Sequence, residues 1–319
     1  MQTTYATTLQ DVRDACCRID GIAHETPVLT CQTLDQLAER KLYFKCENLQ
    51  KSGAFKFRGA CNSIARLSDE VAHRGVVTHS SGNHAQALAL AAKLRGIPAH
   101  IVMPKTAPIV KRRAVEGYGG RVIECEPNQM SRETTADQVL QETGGTLIPP
   151  YNFPDVIAGQ GTVALELLDQ VPNLSAIIAP VGGGGLVSGI CIAAKELNPA
   201  VRIFAAEPLG ANDAARSKAS GTMIPQTSPR TIADGLLTSM GDLTWPIIRD
   251  MVEEVITVSD EEIVAAMRLV WERMKLVVEP SGAVPLAAVL SEGFRDRMDL
   301  SRVGVVFSGG NVDLSRLPW

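Results

Sequence analysis

The stretch Ala176-Ile177-Ile178-Ala179-Pro180-Val181-Gly182-Gly183-Gly184-Gly185-Leu186-Val187-Ser188-Gly189-Ile190-Cys191-Ile192-Ala193-Ala194 decides the fold. Residues 177–194 carry no charge, which approaches the length of a membrane span. Pro180 and four consecutive glycines, Gly182, Gly183, Gly184 and Gly185, interrupt it, and one helix carrying them would break. The stretch therefore predicts a buried strand, a glycine turn and a helix over 186–197. A strand that runs straight into a helix is half of a βαβ unit.

The same alternation extends in both directions. Short apolar runs predict strands over 42–46, 76–79, 99–103, 121–124, 176–179, 201–205 and 303–307. Helical periodicity predicts helices over 83–95, 131–142, 161–170, 186–197 and 261–274, the last opened by a capping box in which Ser259 precedes Glu262 by three positions. Strands separated by helices imply an α/β chain with mostly parallel sheet. There is no internal repeat, low-complexity tract or long linker.

The 319 residues suggest two domains or one large one, and 45% hydrophobic with 21% charged residues suffices for a sizeable core. The net charge of −4 points away from nucleic acid and from anionic membrane. Seven scattered cysteines without a C-x-x-C pair read as free thiols of a reducing, cytoplasmic compartment. Residues 1–20 lack a charged head followed by an apolar run, so no signal peptide is expected.

Ligands of parallel α/β sheets bind beyond the carboxyl ends of the strands. Three strand ends carry unusual loops: His79-Ser80-Ser81-Gly82-Asn83-His84, Val181-Gly182-Gly183-Gly184-Gly185 and Ser308-Gly309-Gly310-Asn311. The glycine run reads either as a packing turn or as an anion site formed by backbone N–H groups at a helix N-terminus. Four glycines at a strand-to-helix junction favour the anion site. The run matches neither a nucleotide P-loop nor a dinucleotide fingerprint, so a cofactor with a single phosphate fits better. Ser80-Ser81-Gly82-Asn83-His84 gathers two hydroxyls, an amide and free N–H groups, a cradle for a carboxylate as well as a simple helix cap. Lys56 stands between Phe55 and Phe57 among small residues, where desolvation would lower the pKa of its amine as a Schiff-base nucleophile requires.

Taken together, these segments resemble a known family. Ser52-Gly53-Ala54-Phe55-Lys56-Phe57-Arg58-Gly59-Ala60 is similar to the lysine motif of fold-type II pyridoxal 5'-phosphate (PLP) enzymes, the serine/threonine dehydratase group. Ser80-Ser81-Gly82-Asn83-His84-Ala85-Gln86-Ala87 resembles the group's substrate-carboxylate loop, the glycine run its phosphate cup, and Ser308-Gly309-Gly310-Asn311 the loop at the pyridine nitrogen. The motifs keep the family's order from about residue 26 to 313. Within the group the chain is most similar to serine racemases and 3-hydroxyaspartate dehydratases. Ala206-Glu207-Pro208-Leu209-Gly210-Ala211-Asn212-Asp213 resembles their divalent-metal site, and Thr231-Ile232-Ala233-Asp234-Gly235 and Trp271-Glu272-Arg273-Met274-Lys275 resemble the same members.

The resemblance implies a tryptophan synthase β-like fold of two open parallel-sheet α/β domains with PLP in the cleft between them. Residues 1–70 and 151–319 would form the large PLP-binding domain, and 71–150 a small domain mobile over the substrate. Lys56 would hold PLP as a Schiff base and then serve as general base, with Ser81 on the opposite face. Phe55, Asn83, Gly182, Gly183, Gly184, Gly185 and Ser308 would contact the cofactor. Ser80, Ser81, Gly82, Asn83 and His84 would bind substrate, with Arg132, Asn152 and Ser239 as further pocket residues. Arg132 is either a solvated first-turn arginine or the group that pairs with a second carboxylate of the substrate. The metal ligands would be Glu207, the Ala211 carbonyl and Asp213, around Mg²⁺, Ca²⁺ or Mn²⁺. The implied reaction is β-elimination of water from a small hydroxy amino acid, foremost 3-hydroxyaspartate, with serine racemase as the alternative. A homodimer is implied, and ATP as an effector near Lys51-Ser52; the regulatory domain of biosynthetic threonine dehydratases is not expected.

Overall fold

The computed structural model describes residues 5–319. Its strands are β1 (Val28–Leu29), β2 (Lys41–Cys46), β3 (Val76–His79), β4 (Ala99–Pro104), β5 (Arg121–Cys125), β6 (Thr146–Leu147), β7 (Ala176–Pro180), β8 (Arg202–Pro208), β9 (Glu254–Val258) and β10 (Arg302–Phe307). They form two sheets, one in the order β1-β2-β10-β7-β8-β9 and one in the order β5-β4-β3-β6. Every pairing is parallel except that of β1 with β2. The strands of the smaller sheet all fall within residues 76–147, and those of the larger sheet lie on either side of it in the chain.

A parallel sheet covered by helices on both faces needs strands that are apolar throughout. β7 reads Ala-Ile-Ile-Ala-Pro and is buried at every position. One face of the large sheet packs around Phe44, Phe204, Met267 and Leu286, the other around Leu167, Ile177, Ile190 and Ile203. The charge-free stretch resolves into β7, a glycine turn and the helix Gly185–Leu197, whose first ten residues are all buried. Among the described residues no helix is long and apolar enough to cross a membrane.

Two expected helices have different bounds. The helix expected over 161–170 begins at Pro154, because proline suits a first helical turn and the glycines at 159 and 161 are accommodated by close packing inside it. The helix expected over 261–274 ends at Leu269, and Val270–Met274 forms a π-helical turn closed by Lys275 in the left-handed region. The capping box of Ser259 and Glu262 forms as expected. Strand β9 and the helices Lys56–Ala65 and Pro280–Leu290 complete the fold.

Candidate active site

The loops after β2, β3, β7 and β10 converge between the two sheets. The segment leading to Lys56 is zipped to the loop after β10: the Phe55 N–H donates to the Ser308 carbonyl at 3.0 Å, the Gly310 N–H to the Gly53 carbonyl at 2.9 Å, and Ala54 bridges Gly309. Lys56 is therefore presented at the first position of the helix Lys56–Ala65. Two residues on, Arg58 is fully buried and anchors that helix. Its guanidinium donates to both oxygens of Glu47 at 2.8 Å and to Glu166 at 2.5 and 2.7 Å, while Lys45 donates to Glu166 at 2.5 Å. Two cations and two carboxylates thus neutralise one another under the site.

The Lys56 amine lies 5.0 Å from the centre of the Phe55 ring and donates to the Pro150 carbonyl at 2.6 Å. Burial pushes its pKa down to about 8, so a far larger minority of the amine is neutral near physiological pH than for an exposed lysine. That is the state in which a lysine attacks a carbonyl. The buried imidazole of His84 stands nearby, hydrogen-bonded through Nε2 to the Ile148 carbonyl at 2.9 Å, with Nδ1 unpartnered. Burial first, and then the Lys56 charge, push its pKa down to about 3, so this ring is neutral.

β3 runs into Ser80, and the helix Asn83–Arg95 begins with Gly82 at its cap and no side chain capping it. The Asn83 amide is held from two sides. It donates to Glu279 at 2.7 Å and accepts from Asn311 at 2.9 Å, and Asn311 also donates to the Ser52 carbonyl at 2.7 Å. Glu279 was not singled out from the sequence. Burial and then the charge of Asp234 push its pKa up to about 8. A Glu-Pro pair at 279–280 looks like an ordinary helix start, so only the fold reveals that this carboxyl faces the site.

The glycine run is wholly buried. Gly184 has φ +87°, a conformation that a side chain would strain. Gly183 must be glycine for another reason: a Cβ there would lie 2.3 Å from the Tyr151 ring. Among the described residues the N–H groups of Gly182, Gly183 and Gly184 donate to no protein acceptor. Buried, unpaired N–H groups at a helix N-terminus are rare unless an anion meets them. Ser308 is buried at the end of β10, and among the described residues its hydroxyl has no hydrogen-bond partner. A buried amine of lowered pKa, an unsatisfied N–H cup and an unpartnered hydroxyl fit a phosphorylated carbonyl cofactor.

Three pocket residues expected from the sequence are placed as follows. Arg132 sits in the first turns of the helix Gln129–Thr143, near His79 at the end of β3, whose pKa is lowered chiefly by burial and also by the Arg132 charge, and its buried Nε has no partner among the described residues. Asn152 is committed elsewhere, donating to Asp242 at 2.5 Å and accepting from the Leu243 N–H at 2.9 Å. The Ser239 hydroxyl accepts from the Gln226 N–H at 2.8 Å. The places nearest the glycine run belong to their neighbours Tyr151 and Thr238.

Glu207 and Asp213 are both buried. Glu207 accepts from the Ala214 and Ala215 N–H groups at 3.0 Å, and Asp213 from the Met240 N–H at 3.2 Å. Neither has an ion-pair partner among the described residues, and no cluster of three His, Cys, Asp or Glu side chains stands there. Burial raises both carboxyls, and the Asp213 charge adds to the rise at Glu207.

Two parallel α/β sheets with a lysine and a glycine run in the cleft between them define a class, the fold-type II PLP enzymes. The chain belongs to the pyridoxal-phosphate dependent enzyme family, whose profile matches residues 19–309. It is 54% identical over 316 residues to a serine racemase of Arabidopsis thaliana, covering 98% of this chain and 96% of the relative. It is 50% identical over 317 residues to the beta-hydroxyaspartate dehydratase of Paracoccus denitrificans (strain Pd 1222), covering 99% of each. A solved structure of maize serine racemase superposes with a TM-score of 0.96 at 53% identity, covering 98% of this chain and 95% of that one. The chain is thus a PLP-dependent enzyme of the racemase and ammonia-lyase type.

Proposed function

We propose that this enzyme eliminates water from 3-hydroxyaspartate, releasing ammonia and, by way of iminosuccinate, oxaloacetate, with serine and threonine as weaker substrates. The observation that carries the choice of a diacid is Arg132, whose buried Nε lacks any protein partner beside the strand that delivers Ser80. A guanidinium in that state is suited to a bidentate carboxylate. Bound PLP supplies the electron sink for the bonds broken at the substrate's Cα. The chain's own groups supply the rest. The N–H groups and hydroxyls of Ser80–His84 hold the substrate's α-carboxylate at the start of the helix Asn83–Arg95. With its pKa lowered by burial, Lys56 would be the group that takes the Cα proton. Asn83 and Ser308 would hold the cofactor ring, and Gly182, Gly183 and Gly184 its phosphate.

A second reading, serine racemisation, is favoured by the Arabidopsis relative. It requires Ser81 to return a proton to the opposite face of Cα. Glu207, Asp213 and the Ala211 carbonyl are the proposed ligands of Mg²⁺, Ca²⁺ or Mn²⁺, which would relieve the repulsion between the two buried carboxylates. A homodimer, ATP bound near Lys51-Ser52, and movement of a small domain (71–150) over the substrate complete the proposal. Ammonia release should be measured with serine, threonine and all four stereoisomers of 3-hydroxyaspartate, with and without EDTA. Faster turnover of serine than of every 3-hydroxyaspartate isomer would overturn the diacid reading, and chiral analysis of recovered serine separates the racemase. Titration calorimetry showing no heat with ATP removes the effector.

A further inference from the structure

Residues 76–147, which carry the small sheet, make few polar contacts across the cleft. Among the described residues no backbone hydrogen bond joins them to any residue beyond 150. Two of their side chains reach across. Asn83 bonds to Glu279 and Asn311, and the Lys111 ammonium donates to Asp234. Among the described residues the second contact is the only ion pair between the two parts.

Both partners are presented by fixed backbone. Lys111 stands in the first turn of the helix Ile109–Gly117, and its neighbour Arg112 is tied back to Glu124 on β5 at 2.5 Å. Asp234 belongs to Thr231-Ile232-Ala233-Asp234-Gly235, a segment pinned at both ends. The Ile232 N–H donates to Asp260 at 3.1 Å, and the Gly235 N–H to the Ser281 hydroxyl at 3.0 Å. A Cβ on Gly182 would meet Leu236 Cα at 3.0 Å, and one on Gly235 would meet Glu279 Oε1 at 4.0 Å. The segment therefore lies between the glycine run and the carboxyl that holds Asn83. At the far end of the helix Asn83–Arg95, Arg95 donates to the Leu67 carbonyl at 2.6 Å and to the Ile64 carbonyl, behind the helix that begins with Lys56. The small-sheet part is thus gripped at its back by Arg95 and held at its front by Asn83 and Lys111.

We propose that the Lys111–Asp234 ion pair is a latch across the mouth of the cleft, which holds the small sheet over the substrate and opens for substrate to enter and product to leave. The proposal rests on, and deepens, the reading of residues 71–150 as a domain that moves over the substrate. The two side chains are 27% and 53% exposed, so water and salt screen the pair. A pair of that kind shifts an equilibrium by up to about fivefold, enough to favour closure and little enough to release in every turnover.

The test uses PLP-loaded holoenzyme of Lys111→Met, Asp234→Asn and the charge swap Lys111→Asp with Asp234→Lys, with thermal melts to verify folding. Amide exchange over residues 79–90 follows opening, and steady-state kinetics with serine give KM. Both single variants should exchange about two- to fivefold faster than wild type and raise KM by a similar factor. The swap should restore both quantities, and high salt should bring wild type towards the single variants. A latch moves the two single variants in the same direction. A bare field acting on the substrate's carboxylate moves them in opposite directions, because one variant removes a positive charge and the other a negative one. Wild-type exchange that saturating serine leaves unchanged would overturn the domain movement and the latch with it. Exchange that serine slows but that both single variants leave at the wild-type rate, or KM changes of opposite sign, would overturn the latch alone.

Discussion

Asn83 and Glu279 stand 196 residues apart in sequence and meet at 2.7 Å, joining the helix that follows the small sheet's β3 to the helix Pro280–Leu290 on the large sheet. The Glu279 carboxyl in this bond has its pKa raised to about 8 by burial. A carboxyl raised on folding binds more protons folded than unfolded between the two pKa values. Its favourable contribution is therefore complete at low pH and lost as pH rises through 4.5 towards 8. Glu279→Gln keeps an acceptor for Asn83 without a titrating proton. Apoenzyme of this variant should lose less stability than wild type between pH 5 and 8 in denaturant titrations. Parallel losses would mean that Glu279 is not the titrating group.

Lys56 titrates in the opposite sense, its pKa lowered to about 8 by burial. Cofactor uptake by the apoenzyme should accelerate about tenfold per pH unit below 8 and level off above it, rather than near the ordinary lysine pKa of about 10.4. Lys56→Ala should lose the visible absorbance of the protein-bound cofactor altogether. A variant that keeps that band removes Lys56 from the mechanism.

Arg132→Ala should damage the reaction of the diacid more than that of serine. A lost bidentate pair costs about 2–3 kcal/mol, roughly a 30- to 150-fold drop in kcat/KM for 3-hydroxyaspartate. Steady-state kinetics showing equal losses on both substrates would leave the arginine with no part in selection.

Arg58 is the hub of the buried charges behind Lys56. Burial alone would raise Glu47, yet the Arg58 guanidinium outweighs it and holds that carboxyl below its ordinary range. Arg58→Met strands Glu47 and half of Glu166 without their cation, at about 3–5 kcal/mol. Chemical denaturation should show this loss. A variant within about 1 kcal/mol of wild type would show that the network relaxes.

The parts of the site that rest on local backbone chemistry were legible in the sequence. The glycine run at a strand-to-helix junction, the loop after β3 and the lysine between phenylalanines all stand where they were expected. What depended on register across the fold was not. The packing of Tyr151 against the glycine run was not anticipated, because nothing local distinguishes Tyr151 from its neighbours. Glu279 carries no local mark of a site residue, since its pKa shift and its bond to Asn83 come from the fold. The helix Pro280–Leu290 was missed because it is buried nearly all round and so lacks an amphipathic period. Strand β9, exposed only at Glu254 and half-buried at Thr257, is a five-residue run without strict alternation, so periodicity alone does not mark it as a strand.

β10 lies in the interior of the large sheet, between β2 and β7, with Val303 registered against both Leu42 and Ala176. During synthesis β2 and β7 must therefore wait for residues 302–307 before the seam between them can close. The sheet of β3–β6 needs nothing after residue 147 and can pair while the rest is still being made. Chains emerge at about 5–20 residues per second, so the interval amounts to several seconds or more with two unpaired strand edges exposed. A chain released before residue 302 should, under limited proteolysis, protect β3–β6 and be cut around β2 and β7. Chaperone demand should accordingly fall on the halves of the large sheet, and only the last strand to leave the ribosome relieves it.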